Sequence, residues 1–73
     1  LHEKVKAIRK EKRVSQSVLA EKLDITVQGY SMKENGHRPI TTDELEIIAD
    51  VLGVHVSIFF EEDFNVKLNK GTA

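Results

Sequence analysis

The stretch Ser15-Gln16-Ser17-Val18-Leu19-Ala20-Glu21-Lys22-Leu23-Asp24-Ile25-Thr26-Val27-Gln28-Gly29-Tyr30 decides the fold. It holds two N-cap residues, Ser15 and Thr26, each opening a short apolar-periodic segment. With Ser15 as N-cap, Val14 and Leu19 occupy the two positions of a hydrophobic staple. The spacing predicts a helix over 16–23, with Leu19, Ala20 and Leu23 facing inward. Asp24 is expected to end it, because Asp accepts a left-handed backbone better than most residues. Only Asp24-Ile25-Thr26 separates this helix from the next, predicted over 27–34. Two short helices joined so tightly make a helix-turn-helix.

Working outward, Val5 and Ile8 recur at helical spacing among Lys4, Lys6, Arg9 and Lys10, so a first helix is expected over 3–12. Downstream, Asn35-Gly36 stops the third helix, and His37-Arg38-Pro39-Ile40 reads as a loop. Thr41-Thr42-Asp43-Glu44 matches a capping box and opens a fourth helix that runs through Leu52 and stops at Gly53. A shorter fifth helix is expected from His55 or Val56 to Glu61. Phe64, Val66 and Leu68 alternate with Asn65, Lys67 and Asn69, a pattern that fits one edge strand or a loose tail. The expected class is therefore all-α with five helices, the domain covering 1–63 and the tail 64–73.

At 73 residues with 40% hydrophobic and 32% charged residues, the chain is one small water-soluble domain with a thin core. There is no cysteine, which excludes disulfides, thiolate chemistry and cysteine zinc sites. No apolar run is long enough for a membrane helix and no signal peptide is expected, so the expected compartment is cytoplasmic. The formal net charge is only −1, yet residues 1–40 carry nine Lys/Arg against five acids, and 41–73 carry two Lys against seven acids. Such asymmetry fits either a basic end turned to an anionic partner or an ordinary solvated helix surface.

Catalysis finds little support. His2, His37 and His55 are scattered without metal-ligand spacing, and the serines lack a nucleophile-elbow context. The four glycines are spread singly, so no phosphate-cradling loop forms, and Glu61-Glu62-Asp63 reads as a solvated helix end. No enzyme activity, metal or cofactor is expected.

Ser15-Gln16, Leu19-Ala20, Leu23-Asp24-Ile25-Thr26, Tyr30-Ser31 and Glu34-Asn35-Gly36, followed by Leu45, Ile48-Ala49 and Leu52-Gly53-Val54, closely resemble the Xre/Cro-like helix-turn-helix family. That family includes lambdoid phage repressors and many small bacterial regulators. The resemblance covers about residues 5–60 and implies the lambda-repressor-like fold. It also implies a cytoplasmic, sequence-specific DNA-binding regulator, a repressor or controller, acting as a dimer on a near-palindromic operator. The chain departs from the family at Asp24 and Arg13, where Gly is usual, at Lys33, where an apolar residue is usual, and at Val18, where an acid is common.

In such a domain the second helix of the pair enters the major groove with its N-terminal residues at base edges. Val27, Gln28, Ser31 and Met32 share one face of that helix and are the expected base readers. Gln28 can bond adenine N6 and N7, whereas Val27 and Met32 can press on thymine methyl groups; Met32 fits a dimer or core contact equally well. By resemblance, Gln16, Thr26, Asn35 and Arg38 meet the sugar-phosphate chain, with Gln16 also supporting Gln28 and the first amides of its helix facing the phosphate. Arg9 is expected to pair with Glu34. Lys33 is expected to be a weak point whose stem covers apolar surface while its ammonium reaches water, Glu34 or a phosphate. The partners are thus double-stranded DNA and a second copy of the chain, with no membrane and no small-molecule effector. The other reading is a protein-interaction or antitoxin-like module whose helix-turn-helix surface no longer reads DNA.

Overall fold

A computed structural model describes residues 1–61; the tail or edge strand expected over 64–73, and the last residues of the 1–63 domain, lie outside them. Four α-helices, α1 (His2–Glu11), α2 (Gln16–Lys22), α3 (Val27–Glu34) and α4 (Thr42–Leu52), precede a 3-10 helix (Val56–Phe60). The fold is all-α. The expected fifth helix is thus a 3-10 turn rather than an α-helix. Its five residues leave room for one tight turn only, capped by His55, whose Nδ1 accepts the Ser57 N–H at 3.2 Å.

Side chains cap the starts of the last three α-helices. The hydroxyls of Ser15, Thr26 and Thr41 accept the backbone N–H of Val18, Gly29 and Glu44. Only Thr41 completes a capping box, with Glu44 reaching back to the Thr41 N–H at 3.0 Å. At α2 the third residue is Val18, so the return bond has no acceptor.

The four α-helices all end in the same way. Each closes with a left-handed residue whose N–H bonds back three residues, and the next N–H bonds back five, the Schellman arrangement. The left-handed residues are Arg13 (φ 61°), Asp24 (φ 60°), Gly36 (φ 84°) and Gly53 (φ 72°). Two of these carry a Cβ in a region that costs an L-residue about 1–2 kcal/mol. They are the two positions where the family usually has Gly.

The core collects Val5 and Ile8 from α1, Leu19 and Ala20 from α2, Tyr30 from α3, Leu45, Ile48, Ala49 and Leu52 from α4, and Phe59. Burying each large aliphatic or aromatic side chain contributes about 1.5–3 kcal/mol. Two charged residues are buried with them, Arg9 and Glu34. Arg9 Nε donates to Glu34 Oε2 at 2.6 Å and Nη2 to Oε1 at 3.0 Å, the pairing expected from the sequence. Tyr30 Oη donates to Glu34 Oε2 at 2.8 Å, and Arg9 Nη1 donates to the Val14 carbonyl at 2.9 Å.

Lys33 corrects the expectation of a weak point. Its ammonium does not pair with Glu34. It lies 3.0 Å from Glu44 Oε1 and donates to the Pro39 carbonyl at 2.9 Å. The polar end thus has two specific partners, which an apolar residue at this position could not serve.

Candidate nucleic-acid interface

The turn between α2 and α3 is short because Asp24 reverses the chain in a left-handed conformation and Ile25 N bonds back to the Ala20 carbonyl at 3.0 Å. Thr26 then caps α3 at once, its Oγ1 accepting Gly29 N at 3.0 Å. Tyr30 is fully buried, and this anchors one side of α3 against the core and turns the opposite side outward.

On that outer side the first turn of α3 presents Val27, 44% exposed, and Gln28, also exposed. Ser31 and Met32 follow one turn later and are half-buried. The four expected base readers thus lie on one stripe, with the two N-terminal ones most accessible. Among the described residues the Gln28 side chain makes no hydrogen bond, so its amide is uncommitted. Val18 on α2, a position where the family commonly has an acid, is a further exposed apolar residue, at 39%.

Among the expected phosphate ligands, Thr26 is exposed at the N-cap of α3, and Asn35 is exposed at its C-cap. The Asn35 amide lies 3.4 Å from Ser31 Oγ, a long contact that leaves it free to turn. Gln16 is half-buried and donates Nε2 to Glu34 Oε1 at 2.9 Å. Gln16 is thus tied to the buried Arg9–Glu34 pair and makes no hydrogen bond to Gln28 among the described residues. Arg38 is exposed in the loop after α3, and its Nη1 comes within 3.7 Å of where a Cβ on Gly29 would sit. The guanidinium therefore lies across the first turn of α3, a placement that only the folded loop reveals.

The electrostatics follow from these contacts. Burial pushes the Glu34 carboxyl up, but hydrogen bonds from Arg9, Gln16 and Tyr30 outweigh it and hold the group below its usual range. The Arg9 guanidinium is raised by its hydrogen bond to Glu34, and burial opposes this only in part. Burial and the bond to Glu34 push the Tyr30 phenol up, so it stays neutral. The internal pair is thus charged but mutually neutralised. Among the described residues no group of His, Asp and Glu side chains able to hold a metal ion occurs.

A family model described as helix-turn-helix matches residues 5–59. The chain belongs to the Xre/Cro-like helix-turn-helix family. No curated protein and no solved structure gives a match. The matched span begins at Val5 in α1 and ends at Phe59 in the 3-10 helix, so this helix-turn-helix domain includes every element of the described core. Family membership makes the chain a helix-turn-helix domain of the DNA-binding regulator type, in a family that is typically non-enzymatic. No described helix is long and apolar enough to cross a membrane.

Proposed function

We propose that this domain is a sequence-specific transcriptional regulator, acting as a repressor or controller in the cytoplasm, and that it binds a near-palindromic operator as a two-fold dimer. The observation that carries the reading is the outer stripe of α3, where Val27 and the uncommitted Gln28 stand exposed in the first turn of a family-matched helix-turn-helix. In this reading α3 lies in the major groove. Gln28 bonds adenine N6 and N7, Val27 and Met32 meet thymine methyl groups, and Ser31 bonds a neighbouring base edge. Thr26, Gln16, Asn35 and Arg38 hold the flanking phosphates and set the register without carrying base information.

A dimer is supported by apolar residues left uncovered near the C-terminal end of the described chain. Ile47 is 41% and Phe60 64% exposed, and a single domain spans too few base pairs for a unique site. Half-sites would then lie about one helical turn, ~34 Å, apart.

Selection of bound sequences from a random duplex library tests both points. A repeated, inverted half-site containing an adenine sensitive to Gln28 supports the reading. Recovery of no consensus, together with elution from heparin at very low salt, supports the interaction-module reading instead, because phosphate contacts make binding steeply salt-dependent.

A further inference from the structure

The loop from Gly36 to Ile40 is fixed on both sides of Arg38. Before it, His37 N donates to the Met32 carbonyl at 2.8 Å. After it, the Pro39 carbonyl accepts the Lys33 ammonium at 2.9 Å. Both anchors lie in the second half of α3, so the residue between them has little freedom of backbone direction. The Lys33 ammonium is itself held by Glu44 Oε1 at 3.0 Å, the same oxygen that accepts the Thr41 N–H in the cap of α4. Burial raises the Glu44 carboxyl, but the hydrogen bonds from Thr41 and Lys33 outweigh this and keep it ionised. Lys33 thus ties together α3, the loop and the start of α4.

Arg38 is different. Among the described residues its guanidinium makes no hydrogen bond or ion pair. It is nevertheless aimed back along α3, with Nη1 3.7 Å from the Cβ position of Gly29 in the first turn. Gly29 leaves open the space that a side chain would take, and Thr26 Oγ1 lies only 3.1 Å from that same position. An unpaired guanidinium beside the Thr26 cap is set to meet an anion approaching the N-terminal end of α3.

We propose that Lys33 is a positioning residue for DNA binding: by holding the Pro39 carbonyl against Glu44 it fixes the loop so that Arg38 meets the phosphate beside the first turn of α3. The proposal rests on the DNA-binding reading above. It gives a role to a lysine that stands where the family usually has an apolar side chain. In this role Lys33 acts through the loop, and its two partners are both protein groups.

The test compares the whole chain with Lys33→Met, Lys33→Arg, Arg38→Ala and the double variant Lys33→Met/Arg38→Ala, each below its melting temperature. Two quantities are read: the order of the Arg38 Nε–H by ¹⁵N relaxation without DNA, and the salt dependence of binding to the selected operator. In Lys33→Met the Arg38 Nε–H should lose order, and the slope of log K against log salt should fall by about 0.9, as in Arg38→Ala. Between 50 and 200 mM salt that is about a 3-fold smaller loss of affinity. The double variant should match Arg38→Ala, and Lys33→Arg should retain both the order and the slope. Lys33→Gln replaces Lys33→Met if the latter does not fold.

A merely structural lysine predicts a lower melting temperature with Arg38 order and salt slope as in the wild type, and that result overturns the proposal. So does a double variant that loses more slope than Arg38→Ala alone. Failure of the wild type to bind any duplex with salt dependence overturns the DNA-binding reading, and with it the phosphate role of Arg38. The order of Arg38 in the free protein separates that case from failure of Lys33 to position the loop.

Discussion

Arg9 and Glu34, twenty-five positions apart, are joined by two hydrogen bonds, Nε to Oε2 at 2.6 Å and Nη2 to Oε1 at 3.0 Å. The pair links the end of α1 to the end of α3 inside an otherwise apolar core. Gln16 and Tyr30 supply the remaining donors to Glu34, and Arg9 also closes on the Val14 carbonyl. Every buried side-chain N and O atom among the described residues has a partner. Such satisfaction is the condition for keeping a charged pair in a small core.

Removing one member leaves the other charged and unpaired. Glu34→Gln and Arg9→Met should each destabilise the domain by about 3–5 kcal/mol. A domain of this size holds only about 4–11 kcal/mol in total. Urea titration followed by circular dichroism should therefore show each variant with a much lower midpoint, whereas the double replacement by apolar residues should recover part of the loss.

The same pair sets the acid limit of stability. Glu34 and Glu44 both titrate below the ordinary value of 4.5, so the unfolded chain takes up protons before the folded one does. Their contribution is complete above about pH 4.5 and is lost as pH falls through the depressed folded values. Denaturation midpoints measured from pH 7 to pH 2 should be flat with respect to these two groups down to about 4.5 and then decline. In Glu34→Gln the decline should be shallower.

Glycine at the helix ends offers a contrasting pair of changes. Arg13→Gly relieves a left-handed Cβ that costs about 1–2 kcal/mol, against about 0.4–1 kcal/mol for the freer unfolded chain. The net gain of about 0.5–1 kcal/mol should raise the melting temperature by about 2–8 °C. Gly36→Ala should do the reverse, because φ is 84° and the added Cβ would stand 2.8 Å from the His2 ring. Calorimetry of the two variants decides the signs.

Base reading and phosphate contact are separable on the operator. Gln28→Ala should weaken the preferred site by about 1–3 kcal/mol and flatten the preference at one base pair of each half-site. Gln16→Ala should weaken all sequences alike, and because Gln16 also bonds Glu34 it should lower stability by about 1 kcal/mol. Parallel titration against single-base variants checks both. Equal loss on every variant for Gln28→Ala would move base reading to Ser31 or to the Val27 and Met32 pair.

Self-association can be followed without DNA. Phe60→Asp places a charge on the most exposed large apolar side chain among the described residues, 64% open to solvent, and should shift a concentration-dependent dimer to monomer in sedimentation runs. A wild type that remains monomeric at high concentration would remove the two-fold operator from the reading.

The helix-turn-helix was legible because its signals are local. Ser15, Thr26 and Thr41 cap the helices that follow them through bonds spanning only three residues. Tyr30 and the Leu45, Ile48, Ala49 and Leu52 stripe declare their inward faces by helical spacing alone. The Arg9–Glu34 pair was legible only through the family resemblance, since nothing local joins positions so far apart. Other features depended on how separate elements pack in space. Gln16 turned to Glu34 because the end of α3 brings a buried carboxylate within 2.9 Å of it. Lys33 found Glu44 because the loop folds the start of α4 beside the end of α3. Arg38 came to lie over Gly29, nine positions earlier, because hydrogen bonds on both sides of it fix the loop. Caps and periodicity act through neighbours along the chain, so the sequence by itself determined the helices and their order. Long polar side chains choose partners by distance and desolvation, and only the tertiary structure decided those.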